Sequence, residues 1–183
     1  PSTLAAEAVR NEKTKVLDAV RAMEPAQVLL DGVRGQYGEG VVDGRKVPPY
    51  RSEPGVSAAS KTDTFAALKL QVENWRWAGV PFYVRSGKRL ARRVTSISMQ
   101  FRRPPLLLFE EMGVAQIEPN RLDVLVQPEE GITLTMKAKR PGPAIVLEQV
   151  KLDFSYSQFG PLPPATGYRR PPHDAMFGDT TLF

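Results

Sequence analysis

The sequence predicts an α+β domain built on a large, mostly antiparallel sheet with helices packed on one face. Three observations lead there. Helical periodicity is concentrated early in the chain. From Phe82 onward the apolar residues recur every second position. Two of those alternating segments are joined only by Glu129-Glu130-Gly131, a hairpin-length connection that makes the pair antiparallel.

In order, residues 2–23 read as a helix. Ser2 or Thr3 can cap it, and Leu4, Ala8, Val16, Leu17 and Val20 fall roughly on one face, with Glu24-Pro25 as the stop. Residues 38–60 form a turn-rich excursion holding Pro48, Pro49, Pro54 and Gly55. Within it, Gly38-Glu39-Gly40 resembles a phosphate loop in composition. A nucleotide fingerprint needs a helix N-terminus after its glycines, and Val41 to Pro49 does not form a helix, so that reading is rejected. A second helix is expected from Ser60 to Gly79, with Phe65, Leu68, Val72 and Trp75 on its apolar face and Val80-Pro81 ending it. Then the period becomes two. Strands are expected at Phe82–Val84, Thr95–Phe101, Leu122–Val126, Ile132–Met136 and Val150–Phe154. Residues 157–172 read as loop and Asp174–Phe177 as one helical turn. An antiparallel sheet covered on one face leaves its other face available to a second subunit.

Composition narrows the chemistry. The 183 residues suffice for one domain with a core. The absence of Cys excludes disulfides, thiolate nucleophiles and Cys-based zinc sites. There is one histidine, His173, so a neutral-pH general base of the commonest type has one candidate, and its position suits a surface or helix-end residue better than a catalyst. No long apolar span or export signal is evident, which favours a cytoplasmic protein without membrane partners. The net charge of +5 favours anionic partners.

That positive charge is concentrated. From Asn74 to Phe109 there is no Asp or Glu, while the same span carries Arg76, Arg85, Lys88, Arg89, Arg92, Arg93, Arg102 and Arg103. Such a field costs self-repulsion unless an anion visits it. A solvated basic face is one reading, and an anion site at a loop between two strands is the other. Nucleic acid is a poor fit, because Phe82, Tyr83 and Phe101 read as strand core rather than as a stacking platform.

The segments RNEKTKVL, VRGQYGEG, TFAALKLQVENWRWAGVPFYVRSGKRLARR, QPEEGITLTMKAKRPGP and DAMFGDTTLF occur in this order across the chain. Together they resemble the C-terminal domain of the glucose-6-phosphate dehydrogenase family. The resemblance implies NADP-linked oxidation of glucose 6-phosphate to its lactone, opening the pentose phosphate pathway. It also implies a homodimer or tetramer assembled through the sheet. Residues 1–183 would then be the substrate-binding and dimerisation domain, and the Rossmann domain with the coenzyme fingerprint and the catalytic His would lie outside this chain. The absence of Met before Pro1 fits a piece of a longer protein, and such a piece is expected to be inactive alone.

Residue by residue, the resemblance implies three substrate contacts: Lys88, Arg93 and Gln127. It implies no catalytic residue, no metal ligand and no coenzyme ligand in this chain. Arg85 and Asp153 match a second, structural NADP site of some members, but Val94, Ser98 and Leu125 stand where those members carry Lys or Arg, so that nucleotide is not expected. Arg89 is given no role. Tyr168-Arg169-Arg170-Pro171-Pro172-His173 departs from the family pattern and puts the local fold there in question. The competing expectation is a non-catalytic dimerisation or anion-binding module.

Overall fold

A computed structural model describes Thr3, residues 5–103, residues 118–160 and Met176. The chain falls into two compact units, one made of residues 1–92 and 166–183 and the other of residues 93–165. All strand pairing in both is antiparallel.

The first unit opens with α1 (Ala6–Asp18), shorter at both ends than the sequence suggests. Thr3 contributes outside the helix, its hydroxyl accepting from the Ala5 N–H at 3.1 Å. α2 (Pro25–Asp31) follows. Pro25, expected only as a helix stop, has a second role. It also starts a helix, because the first helical position has no intrahelical use for an N–H. α2 runs into β1 (Gly32–Gly35), and a hairpin of β2 (Gly40–Val42) and β3 (Arg45–Val47) comes next. Asp43 at φ 50 and Gly44 at φ 74 make its turn, the backbone that an Asp-Gly pair favours. Gly40 thus leads into a strand, in keeping with the rejection of a phosphate loop.

The helix expected over 60–79 is absent. Phe65–Gln71 is a strand, β4, and it lies between β1 and β5 (Pro81–Gly87) in a three-stranded sheet. Phe65, Ala66, Ala67, Leu68, Lys69 and Leu70 are compatible with a helix locally. Pairing on both edges, with Ala67 opposite Val33 on one side and Arg85 on the other, overrides that weak preference. Asn74–Gly79 forms a tight turn instead. The Asn74 side chain accepts from the Trp77 N–H at 2.9 Å, and Gly79 closes the turn at φ 74. The Trp77 ring packs edge-on against Phe82, centroids 5.3 Å apart. The segment after α1 docks on the end of β4 through Arg21 N–H to the Gln71 carbonyl and Glu73 N–H to the Ala19 carbonyl, and Val72 there is buried.

The second unit is a four-stranded sheet in the order β6 (Thr95–Gln100), β7 (Arg121–Gln127), β8 (Gly131–Lys139), β9 (Leu147–Ser155). These strands, and the hairpin at Glu129-Glu130-Gly131, stand where the period-two pattern put them. Its register sorts the faces. One carries the rows Ile97·Val124·Ile132·Phe154 and Met99·Leu122·Leu134·Leu152. The other carries Ser98·Asp123·Thr133·Asp153, where Ser98 donates to Asp123 and Thr133 donates to Asp153 at 2.7 Å. A 3-10 turn at Tyr156–Phe159 replaces the start of the expected loop. Of the expected turn at Asp174–Phe177 only Met176 is described, and it is helical; the remainder of that turn, residues 161–172 of the loop and the Tyr168–His173 departure lie outside the described residues.

Candidate functional site

The basic stretch acquires its geometry from β5. Gly87, its last residue, lies opposite Phe65 of β4. The next backbone N–H, that of Lys88, donates to the Thr64 carbonyl at 2.8 Å, and the Thr64 N–H donates to the Gly35 carbonyl at 2.8 Å. Three chain segments are thereby tied at one edge. Thr64 is used a third time, its hydroxyl accepting from the Tyr37 N–H at 2.9 Å. The 60–64 segment is held in turn by Gln36, whose amide donates to the Ser60 and Thr62 carbonyls, each at 2.9 Å. Arg51 fixes that amide by donating to its oxygen at 2.8 Å.

On this anchored backbone, Lys88 and Arg89 do different things. Arg89 sits at φ 54 and donates to Glu53 Oε1 at 2.9 Å. The Tyr37 hydroxyl first, and then the Glu53 carboxylate, push the Arg89 guanidinium above its ordinary pKa. Lys88 is exposed, and among the described residues no carboxylate pairs with it. Within the basic stretch, Arg89 is the one cation with an acidic partner among the described residues. The self-repulsion of the others is relieved by solvent or by an external anion.

Arg93 and Gln127 belong to the second unit. Thr95 lies opposite Gln127, so Arg93 enters β6 at the end of the sheet where Gln127 leaves β7. Both are exposed, and the Gln127–Pro128 peptide is cis. The structure brings Arg93 and Gln127 to one end of one sheet, while Lys88 is set by the other unit.

Two sequence readings change here. Tyr83 is 75% exposed and Phe101 50% exposed, so neither is strand core, and only Phe82 of the three packs as expected. Glu53, Tyr37 and Thr64, which contact the Lys88–Arg89 turn or brace those contacts, were not visible in the sequence. No local spacing signals a contact that spans 36 positions.

A concavity of about 700 Å³ lies in the first unit, walled by Arg21, Asp31, Lys69, Glu73 and Trp75 among others. Both of its cations are paired within it, Lys69 to Asp31 and Arg21 to Glu73, each at 3.6 Å, and Glu24 adds a further negative charge. It has less to offer an anion than Lys88 does. Among the described residues there is no cluster of side chains suited to a metal ion.

The described residues thus present an antiparallel α+β architecture with an exposed lysine at a strand end, its backbone N–H bonded and its ammonium without an acidic partner among them, a charge that an anion can use. Comparison with known proteins makes this specific. The chain belongs to the family described as glucose-6-phosphate dehydrogenase, C-terminal domain, whose model matches residues 1–183. It is 42% identical over its whole length to glucose-6-phosphate 1-dehydrogenase of Aggregatibacter actinomycetemcomitans, and 43% identical to that of Mycolicibacterium smegmatis. It covers 36% and 37% of those proteins, so the chain spans about a third of the relatives it matches. Among solved structures it is similar to a glucose-6-phosphate dehydrogenase in complex with glucose 6-phosphate, with a TM-score of 0.81 and 36% identity. All of this chain and 36% of that one are covered. The enzyme from Mycobacterium avium matches with a TM-score of 0.77 and 30% identity, over all of this chain and 35% of the other.

Proposed function

We propose that this chain is the substrate-side domain of a glucose-6-phosphate 1-dehydrogenase, acting in the cytoplasm at the entry to the oxidative pentose phosphate pathway. The observation that carries the reading is Lys88: its backbone is fixed, its ammonium is exposed, and no carboxylate among the described residues competes for it. Lys88 and Arg93 bind the sugar phosphate, and Gln127 donates or accepts at the sugar. Charge-assisted hydrogen bonds to a phosphate are worth about 1.5–3 kcal/mol each.

In the reaction the C1 hydroxyl of glucose 6-phosphate loses its proton to a base, and C1 loses hydride, leaving the lactone. NADP, when bound, supplies the hydride acceptor. The catalytic base and the coenzyme site belong to the Rossmann domain and the histidine that the family places outside these 183 residues. What this chain contributes is position: the phosphate, held by Lys88 and Arg93, fixes the sugar so that C1 meets the coenzyme. A second, structural NADP has little to bind. Val94, Ser98 and Leu125 bring no cation, Ser98 is engaged with Asp123, and Asp153 accepts from Thr133. The apolar rows of the four-stranded sheet suit a homodimer or tetramer, since Ile97, Ile132, Val150 and Leu152 are exposed.

The test is assembly of function. The purified 183-residue chain should form no NADPH from glucose 6-phosphate, and joining it to a Rossmann half of the same family should restore turnover. NADPH formation by the chain alone would overturn the assignment.

A further inference from the structure

Arg89 follows the phosphate ligand proposed above, yet its guanidinium, though exposed, is paired with Glu53. Two donors meet at one oxygen there: Arg89 Nη2 at 2.9 Å and the Tyr37 hydroxyl at 3.1 Å from Glu53 Oε1. Each partner is itself anchored. Tyr37 donates its N–H to the Thr64 hydroxyl, accepts from the Tyr50 N–H at 3.1 Å, and packs edge-on with the Tyr50 ring at 5.7 Å. Glu53 ends the 3-10 turn Tyr50–Ser52, its N–H donating to the Tyr50 carbonyl at 3.1 Å.

The backbone of Arg89 adds a second observation. At φ 54 it occupies the left-handed region, which disfavours an arginine. A residue stays there only where its surroundings hold it, and the contact with Glu53 is the side-chain restraint that the described residues place on this one. The same conformation sets the direction in which the chain leaves Lys88. With the Lys88 N–H tied to Thr64 on one side and Arg89 clamped on the other, the Cα–Cβ direction of Lys88 is fixed from both ends.

We propose that Glu53, through Arg89 and with Tyr37, is a positioning residue for Lys88, aiming its ammonium at the phosphate of the substrate. The inference rests on the reading of Lys88 as a phosphate ligand. Arg89 itself is held back from the substrate, so its charge serves the backbone rather than the phosphate.

The experiment uses the complete dehydrogenase carrying this domain, with glucose 6-phosphate and unphosphorylated glucose as alternative substrates. Glu53→Gln is expected to raise KM for glucose 6-phosphate about fivefold, with kcat changed less than twofold, and to affect glucose less. Lys88→Ala should raise the same KM more. Added to Lys88→Ala, Glu53→Gln should cost less than a further twofold, because it acts only through Lys88. If Lys88→Ala raises KM and Glu53→Gln leaves it unchanged, the positioning role is wrong and the ligand role of Lys88 stands. If Lys88→Ala leaves KM unchanged, both fall. Additive effects, or equal losses on both sugars, would show a role unrelated to Lys88 and overturn the proposal. Should Glu53→Gln fail to fold, Tyr37→Phe removes one of the two donors. It is expected to raise KM about twofold with the same non-additivity, and an unchanged KM there counts against the proposal.

Discussion

The backbone N–H of Lys88 donates to the carbonyl of Thr64 across 2.8 Å, extending the β4–β5 ladder one residue past the end of the strands. The residue before it has no room for a side chain. A Cβ on Gly87 would come within 2.9 Å of the Phe65 ring and 3.3 Å of Leu90 Cδ2. Gly87→Ala therefore has to displace the ring or the strand end. Overpacking of this kind destabilises by about 1–3 kcal/mol. We expect a lowered denaturation midpoint together with a raised KM for glucose 6-phosphate in the complete enzyme.

Thr64→Val keeps the shape of the side chain and removes the acceptor for the Tyr37 N–H. That N–H is part-buried, and leaving such a donor unpaired costs about 1–3 kcal/mol. Chemical denaturation of the variant measures the loss. Thr64→Ser retains the hydroxyl and should recover most of it.

The relation of sequence to structure differs between the two units. Strands β6 to β9 were legible because one face of their sheet is apolar and the other polar, so that Ile97, Met99, Leu122, Leu134 and Leu152 announce the strands and their apolar face through alternation. β4 was not legible. Ala66, Ala67, Leu68 and Leu70 leave little polar alternation, and a strand paired on both edges is set by partners distant in sequence. The β2–β3 hairpin was available from Asp43-Gly44 but was passed over as part of a proline-rich excursion. At the site, the basic residues could be found by charge alone. The division of labour between Lys88 and Arg89 could not, because it depends on Glu53.

In the second unit, Gly131 begins β8 opposite Ser155, and a Cβ there would lie 2.7 Å from the Phe154 carbonyl oxygen. Backbone cannot move aside as a side chain can. Gly131→Ala should therefore part β8 from β9 locally and destabilise the domain by about 1–3 kcal/mol. Faster amide exchange along β9 than along β7 would locate the damage.

The apolar rows carry a further consequence. Leu152 is 57% exposed on an edge strand of the four-stranded sheet. If that face meets a second copy, Leu152→Asp places a carboxylate in the interface, which costs several kcal/mol. Sedimentation of the complete protein should show a shift to the monomer at micromolar concentration. An unchanged assembly would remove this face from the interface.

The proposed hold of Lys88 on the phosphate of glucose 6-phosphate is read out by the steady-state kinetics of Lys88→Ala in the complete dehydrogenase. Losing one charge-assisted contact should lower kcat/KM for glucose 6-phosphate by about tenfold to a hundredfold. The value for unphosphorylated glucose should change far less. Equal losses on the two sugars, or no loss on either, would mean that Lys88 does not hold the phosphate.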